Sequence, residues 1–189
     1  MDAKPFASFG DPPEHEEAPV LCVRNVQHHY GQGEARKQVL FDNNLEVMPG
    51  EIVIMTGPSG SGKTTLLTLI GGLRTVQQGS VFVLGRELYG LSGRALIEVR
   101  RGIGFIFQAH NLFEALTAYQ NVKMAVDLTA SARAVMHARI TELLAALGLE
   151  QRIHYKPDSL SGGQRQRVAI ARALANRPRL ILEIGRAHV

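Results

Sequence analysis

The chain has one cysteine and no tryptophan in 189 residues, and it contains no long apolar run. A lone thiol, Cys22, cannot close an internal disulfide, which excludes a disulfide-stapled miniprotein and fits a reducing compartment. It sits in an apolar stretch and reads as core, not as a nucleophile. No segment approaches the roughly 18 to 20 apolar residues that cross a bilayer. Met1 to Pro19 begins acidic and lacks the basic-then-apolar order of a secretory signal, so the chain is expected to stay where it is made. Aromatic residues make up only 6% of the chain. They are not interleaved with a basic stripe, so no nucleic-acid partner is expected.

What is present is the composition of a globular domain, 45% hydrophobic and 20% charged, in a chain long enough to bury a core. The charge is unevenly spread. Residues 1–18 hold five acids against Lys4, for −4, so the rest carries +8 of a net +4. That Pro- and Glu-rich leader, 1–18, is expected to be disordered. The basic remainder points to an anionic ligand, with its arginines spaced along helices instead of gathered in one block.

Order is expected from residue 19. Val20–Val23 reads as a strand, and Val39–Met48, after a turn at Gly31–Gly33, as a second extended stretch. Ile52–Met55, apolar on both faces after the Pro49-Gly50 turn, reads as a buried parallel strand. Val81–Leu84, Ile103–Phe107 and Leu180–Leu182 are further strands. Helices are expected over Lys63–Leu73, from a Thr117 cap to about Leu128, and from a Ser161 cap to about Ala175. Between the last two, Val135, Met136, Ile140, Leu143, Leu144 and Leu147 form an apolar helical stripe that Gly148 ends. This is α/β architecture with a helical insertion. His28 and His29 alternate across a strand with no carboxylate or thiol cluster beside them, so no metal is expected there.

Gly57-Pro58-Ser59-Gly60-Ser61-Gly62-Lys63-Thr64 fits G-x-x-x-x-G-K-[ST] at every fixed position, between an expected strand and an expected helix. A triphosphate presents many oxygens, and backbone N–H groups can surround them where glycines leave the approach open. The helix start adds its positive end. Lys63 can reach the β and γ oxygens, and the Thr64 hydroxyl can face Mg²⁺. Residues 57–64, with Thr65 beside them, are therefore the expected nucleoside-triphosphate site, with ATP and Mg²⁺ as its ligands.

A phosphate loop alone does not choose among kinases, small GTPases and motor ATPases. Leu160-Ser161-Gly162-Gly163-Gln164, leading into Arg165–Leu174, makes a serine-capped helix start with two glycines, a second anion-binding terminus. This segment resembles the signature of ATP-binding cassette (ABC) transporter ATPases, and the resemblance covers residues 20–182. It implies a P-loop NTPase fold of the ABC type, with an antiparallel β subdomain and a helical subdomain over 109–177. It further implies that Ser161 and Gly163 of one subunit act on the ATP held by another, in a head-to-tail homodimer. Tyr30 resembles the family's aromatic that stacks on adenine. Gln108 resembles the glutamine that touches Mg²⁺ and the attacking water, and that marks the hinge to the permease-contacting helices.

Gly57–Leu73, Gly79-Ser80 and Arg101–Val126, with Phe107–Leu112 among them, resemble DevA-like exporter ATPases, relatives of the lipoprotein-releasing and macrolide-export ATPases. Such subunits pair with a transmembrane permease, and often a periplasmic adaptor, to move glycolipids, lipoproteins or hydrophobic compounds outward. The resemblance thus implies a peripheral position on the cytoplasmic face of the inner membrane. Two alternatives stand beside it. One is a soluble ABC ATPase of translation or DNA repair, although the chain shows neither the second cassette nor the coiled-coil insertion usual there. The other is a nucleotide-binding fragment without turnover.

The second alternative arises from the C-terminus. In ABC ATPases the strand resembling Leu180–Leu182 continues through one residue to an Asp that holds Mg²⁺ through water and a Glu that activates the attacking water. Here those positions are Ile184 and Gly185, and Glu183, one residue early, falls on the opposite face. The later γ-phosphate histidine and the remaining strands of the family are also missing. Glu183–Val189 is what GAG-ATC-GGA-AGA-GCA-CAC-GTC encodes, a string that contains a common sequencing adapter. The domain is therefore expected to be incomplete, with 183–189 foreign to it. Resequencing the source gene past the codon for Leu182 is expected to replace these seven residues; finding them followed by a genuine stop would refute the expectation.

Overall fold

The computed structural model describes residues 18–107, 110–126 and 133–185. The expectations for Gln108, for most of the acidic leader, for a helix end at Leu128 and for residues 186–189 lie outside them.

Strand β1 (Leu21–Tyr30) lies between β2 (Lys37–Val47) and β3 (Gln78–Val83), and β4 (Arg86–Glu87) completes an antiparallel sheet of order β2-β1-β3-β4. The strand expected to end at Val23 runs on through Arg24–His29. Val26 and His28 on one face are buried in that stretch, and partners on both sides take its backbone groups. A bulge with Asn25 at φ 49° shifts the register on the way. Strands β5 (Ile103–Phe107) and β6 (Leu180–Ile184) form a separate parallel pair, Ile103 opposite Leu180 and Phe107 opposite Ile184. Strand β6 thus continues two residues past its expected end. Glu183 is exposed, while Leu182 and Ile184 face inward, so the carboxylate does point away from its neighbours' face.

One expected strand is absent. Ile52–Met55 makes no ladder, and Ile52 and Ile54 are 92% and 82% exposed. A β-branched run becomes a strand only when neighbours accept and donate its backbone hydrogen bonds. Among the described residues none lies alongside; a groove of about 1120 Å³, lined by Glu51–Ile54 on one wall and by Leu180, Ile181 and Glu183 on the other, occupies that place.

Helix α1 (Lys63–Ile70) stops three residues early because Gly71 and Gly72, the latter at φ 62°, end it. Helix α2 (Gly93–Arg101) was not expected from the sequence; Val99 is the residue it buries. Helix α3 (Ala118–Val126) starts at a reciprocal cap, in which the Thr117 hydroxyl accepts from Gln120 N–H at 3.2 Å and the Gln120 carboxamide accepts from Thr117 N–H at 2.9 Å. Helix α4 (Arg133–Ala146) ends at Gly148, φ 68°, and helix α5 (Gly162–Leu174) starts where Ser161 places it.

The packing divides into two cores. The first joins the antiparallel sheet to α1, α2, β5 and β6 through residues such as Val23, Val81, Leu69, Val99 and Leu182. The second lies among α3, α4 and α5, around Val122, Ile140, Leu144 and Val168. Of the expected α4 stripe, Met136, Ile140 and Leu144 are buried at one-turn intervals, but Val135 is 66% exposed. It lies a full 100° around the helix from Met136, outside the i, i+4 row. Ile140→Ala is therefore expected to cost about 2–4 kcal/mol in urea unfolding, whereas Val135→Ala stays within about 0.5 kcal/mol.

Candidate functional site

The phosphate loop closes a cradle of about 330 Å³, lined by Gly57, Ser59–Thr65, Tyr30 and Val39. Gly57, Gly60 and Gly62 all have positive φ, at 143°, 83° and 90°. At Gly62, the residue before α1, space adds a second requirement. A Cβ there would meet Leu40 Cδ2 at 2.7 Å and the Val39 carbonyl oxygen at 2.8 Å. The sequence had placed the need for glycine in ligand approach; at Gly62 it also comes from β2. Helix α1 therefore begins tight against β2, with the free N–H groups of its first turn pointing into the cradle.

Lys63 folds back over the loop. Its ammonium donates to the carbonyls of Gly57 at 2.6 Å and Pro58 at 2.8 Å and to Ser61 Oγ at 3.1 Å. Pro58 is the one residue of the motif that does not line the cradle; lacking an N–H, it offers only this carbonyl. Thr64 is exposed at the cradle wall, while Thr65 is buried and its hydroxyl lies 3.2 Å from the Tyr30 hydroxyl. Tyr30 thereby reaches the cradle from the end of β1. Beside it, burial pushes the His28 imidazole below the ordinary histidine range, and the Arg74 guanidinium and the neighbouring His29 add to the effect.

Sequence reasoning had weighed Ile184 and Gly185 as the positions where the family places its two acids. Gly185 lines the cradle, while Ile184 is buried. The end of β6 thus reaches the cradle without a carboxylate. Among the described residues no cluster of His, Cys, Asp or Glu could hold a metal ion.

Ser161, Gly162 and Gly163 form an exposed helix start away from the cradle, none of them in its lining. Ser161 Oγ accepts from Gln164 N–H at 3.3 Å and the Gln164 carboxamide accepts from Ser161 N–H at 2.8 Å. A Cβ on Gly162 or Gly163 would meet nothing within 4 Å, and neither has positive φ. Nothing among the described residues requires glycine at either position.

Arg172, which carried no signal in the sequence beyond its place on α5, binds the segment that follows β5. Its guanidinium donates to the carbonyls of Asn111 at 2.6 Å and His110 at 2.8 Å. Both residues have positive φ, at 44° and 58°. Burial lowers the Arg172 pKa from its ordinary value.

A strand-end tyrosine, a glycine cradle on a helix N-terminus and a second, detached serine-capped helix define a cassette-type nucleotide-binding fold. The ABC transporter family profile matches residues 40–183, more than half of the chain. The chain is 44% identical over 165 residues to the lipoprotein-releasing system ATP-binding protein LolD of Novosphingobium aromaticivorans, covering 87% of this chain and 74% of that one. It is 46% identical over 164 residues to LolD of Pseudomonas syringae pv. tomato, covering 86% and 72%. Among solved structures it resembles the ATP-binding cassette MJ0796 in a dimeric post-hydrolysis state bound to ADP and Pi, with a TM-score of 0.79, 40% identity and coverage of 86% and 72%. The chain belongs to the ABC transporter family of ATP-binding cassettes, an ATPase family.

Gly62→Ala is expected to leave circular dichroism near native yet weaken binding of a fluorescent ATP analogue by about tenfold or more, because the new methyl meets a backbone oxygen in a positive-φ conformation. Unchanged affinity would show that α1 can withdraw from β2 without loss.

Proposed function

We propose that this chain is the ATP-binding cassette of an ABC exporter, paired head to tail with a second cassette beneath a transmembrane permease. The observation that carries the reading is the separation of its two anion-binding helix starts. The cradle at α1 and the Ser161–Gly163 start of α5 belong to different cores and share no lining. One chain therefore offers two incomplete halves of a site, and the two glycines that its own packing does not require suit the approach of a partner's phosphate.

In this reading the loop amides of Gly57 and Ser59–Gly62 and the first turn of α1, through Thr65, surround the phosphates. Lys63 exchanges its two carbonyls and Ser61 for β and γ oxygens, and Tyr30 takes the base. Ser161 and Gly163 serve the γ-phosphate held by the partner, and Gln108, as the resemblance implies, would face Mg²⁺ and the attacking water. For Mg²⁺ the fit is incomplete. The Thr64 hydroxyl stands at the cradle wall, but the residue that β6 delivers there is Gly185, so no step is derived through the cation. The same glycine favours a second reading for the chain in its present form, that it binds nucleotide without turning it over.

A groove of about 720 Å³ between the two cores supports a permease partner. Phe105, Phe107 and Phe113 give it an apolar lining, and Arg100 adds positive charge beside Arg101, which is paired with Glu98 at 2.7 Å. An amphipathic helix with acidic flanks suits such a surface. The lipoprotein-releasing relatives favour lipoproteins as cargo, while glycolipids or small hydrophobic compounds, a place at the cytoplasmic face and a periplasmic adaptor rest on the sequence resemblance alone.

Lys63→Ala is expected to lower affinity for a fluorescent ATP analogue by tenfold or more in a folded protein; near-native affinity would contradict its role. Ser161→Arg is expected to spare that binding while abolishing ATP-dependent dimerisation seen by light scattering. A variant that still dimerises with ATP would remove the shared-site reading.

A further inference from the structure

The Tyr30 ring is held from three directions, and two of these contacts belong to residues that the nucleotide reading does not use, His28 and Arg74. Its hydroxyl meets Thr65 Oγ1 at 3.2 Å, and the His28 ring packs against it nearly perpendicular, with centroids 5.0 Å apart. The Arg74 guanidinium carbon lies over the ring, 5.0 Å from its centroid. Arg74 is exposed, and an exposed arginine ordinarily keeps much of its rotamer freedom.

The loop that carries Arg74 is tied down. Its N–H donates to the Thr68 carbonyl at 3.2 Å, and Val76, two residues on, is buried in the first core. The Gln77 carboxamide then clasps the backbone of His29, accepting from its N–H at 2.8 Å and donating to its carbonyl at 3.0 Å. This clasp joins the loop bearing Arg74 to the strand end bearing Tyr30. A cavity of about 530 Å³, lined by His28, Tyr30, Gly31, Arg74 and Gln77 among others, adjoins the cradle, and Tyr30 lines both. That is the size of a small-ligand site.

We propose that Arg74 is the positioning residue of the base subsite: by covering the Tyr30 ring it fixes the plane on which the purine of the nucleotide stacks. The proposal rests on Tyr30 being the base-stacking residue. A ring already fixed loses less freedom when the ligand arrives, which raises affinity without a direct contact to the phosphates. The effect belongs to the base alone, so it separates from the general attraction of a cation for a polyanion.

Calorimetry of the full chain with ATP and with inorganic triphosphate tests this, using R74A, R74K and Y30A. R74A is expected to weaken ATP binding about twofold to fivefold, the scale of an exposed cation–π contact, and to leave triphosphate binding unchanged. R74K, which keeps a cation over the ring, is expected to recover most of the loss, and R74A is expected to have no further effect once Tyr30 is alanine. Equal losses for ATP and triphosphate would overturn the proposal in favour of long-range charge, and unchanged or tighter ATP binding would overturn it outright. If Y30A itself spares ATP binding, the base-stacking reading fails and takes the proposal with it. A loss in Y30A but none in R74A removes Arg74 alone.

Discussion

The contact between Gly62 and β2 constrains the whole site. Val39 and Leu40 approach so closely that no side chain fits, and the positive φ of Gly62 is what lets the chain turn there into α1. The helix start is thereby fixed in depth and direction, which decides where its free N–H groups point. Because β2 pairs with β1, the same contact sets the distance between the helix start and Tyr30, and the hydroxyl pair of Tyr30 and Thr65 closes the triangle. A loosened helix start would shift the loop amides and the Tyr30 ring together.

The second constraint is the division between cores. The cradle rests on the first and the capped start of α5 on the second, so their relative position follows the packing between the two bodies. Helix α5 spans that boundary. A Cβ on Gly104 of β5 would meet the Ala173 carbonyl oxygen at 2.7 Å, so helix and strand approach closely there. Arg172 adds two hydrogen bonds to the chain leaving β5. An arginine held this way, partly buried and bonded to the carbonyls of two residues with positive φ, ties α5 to the segment that follows β5.

Much of this was legible in the residues. The phosphate loop, the two serine and threonine caps and the α4 stripe rest on local chemistry, and local chemistry survives folding. Resemblance to the ABC family supplied Tyr30 and the significance of positions 184 and 185, which spacing alone could not. Ile52–Met55 misled because its β-branched composition is a local property while a ladder is a non-local one. Val135 misled because it adjoins the stripe in sequence and leaves it in angle. Arg74, Gln77 and Arg172 were illegible: each acts through a backbone group or ring brought close by the tertiary fold.

The cradle has unequal ends. At Gly62 it is anchored by a helix and a strand, but at Gly57 it continues from Ile52–Met55, whose amides find no ladder partner among the described residues. Backbone of that kind opens readily to solvent, so deuterium should enter it long before it enters β1. On that side the loop is held instead by Lys63, whose ammonium binds the Gly57 and Pro58 carbonyls, so drawing the lysine to an anion costs the loop that tether. Its affinity for phosphate is thus governed as much by whatever quiets that upstream segment as by the residues that touch the ligand.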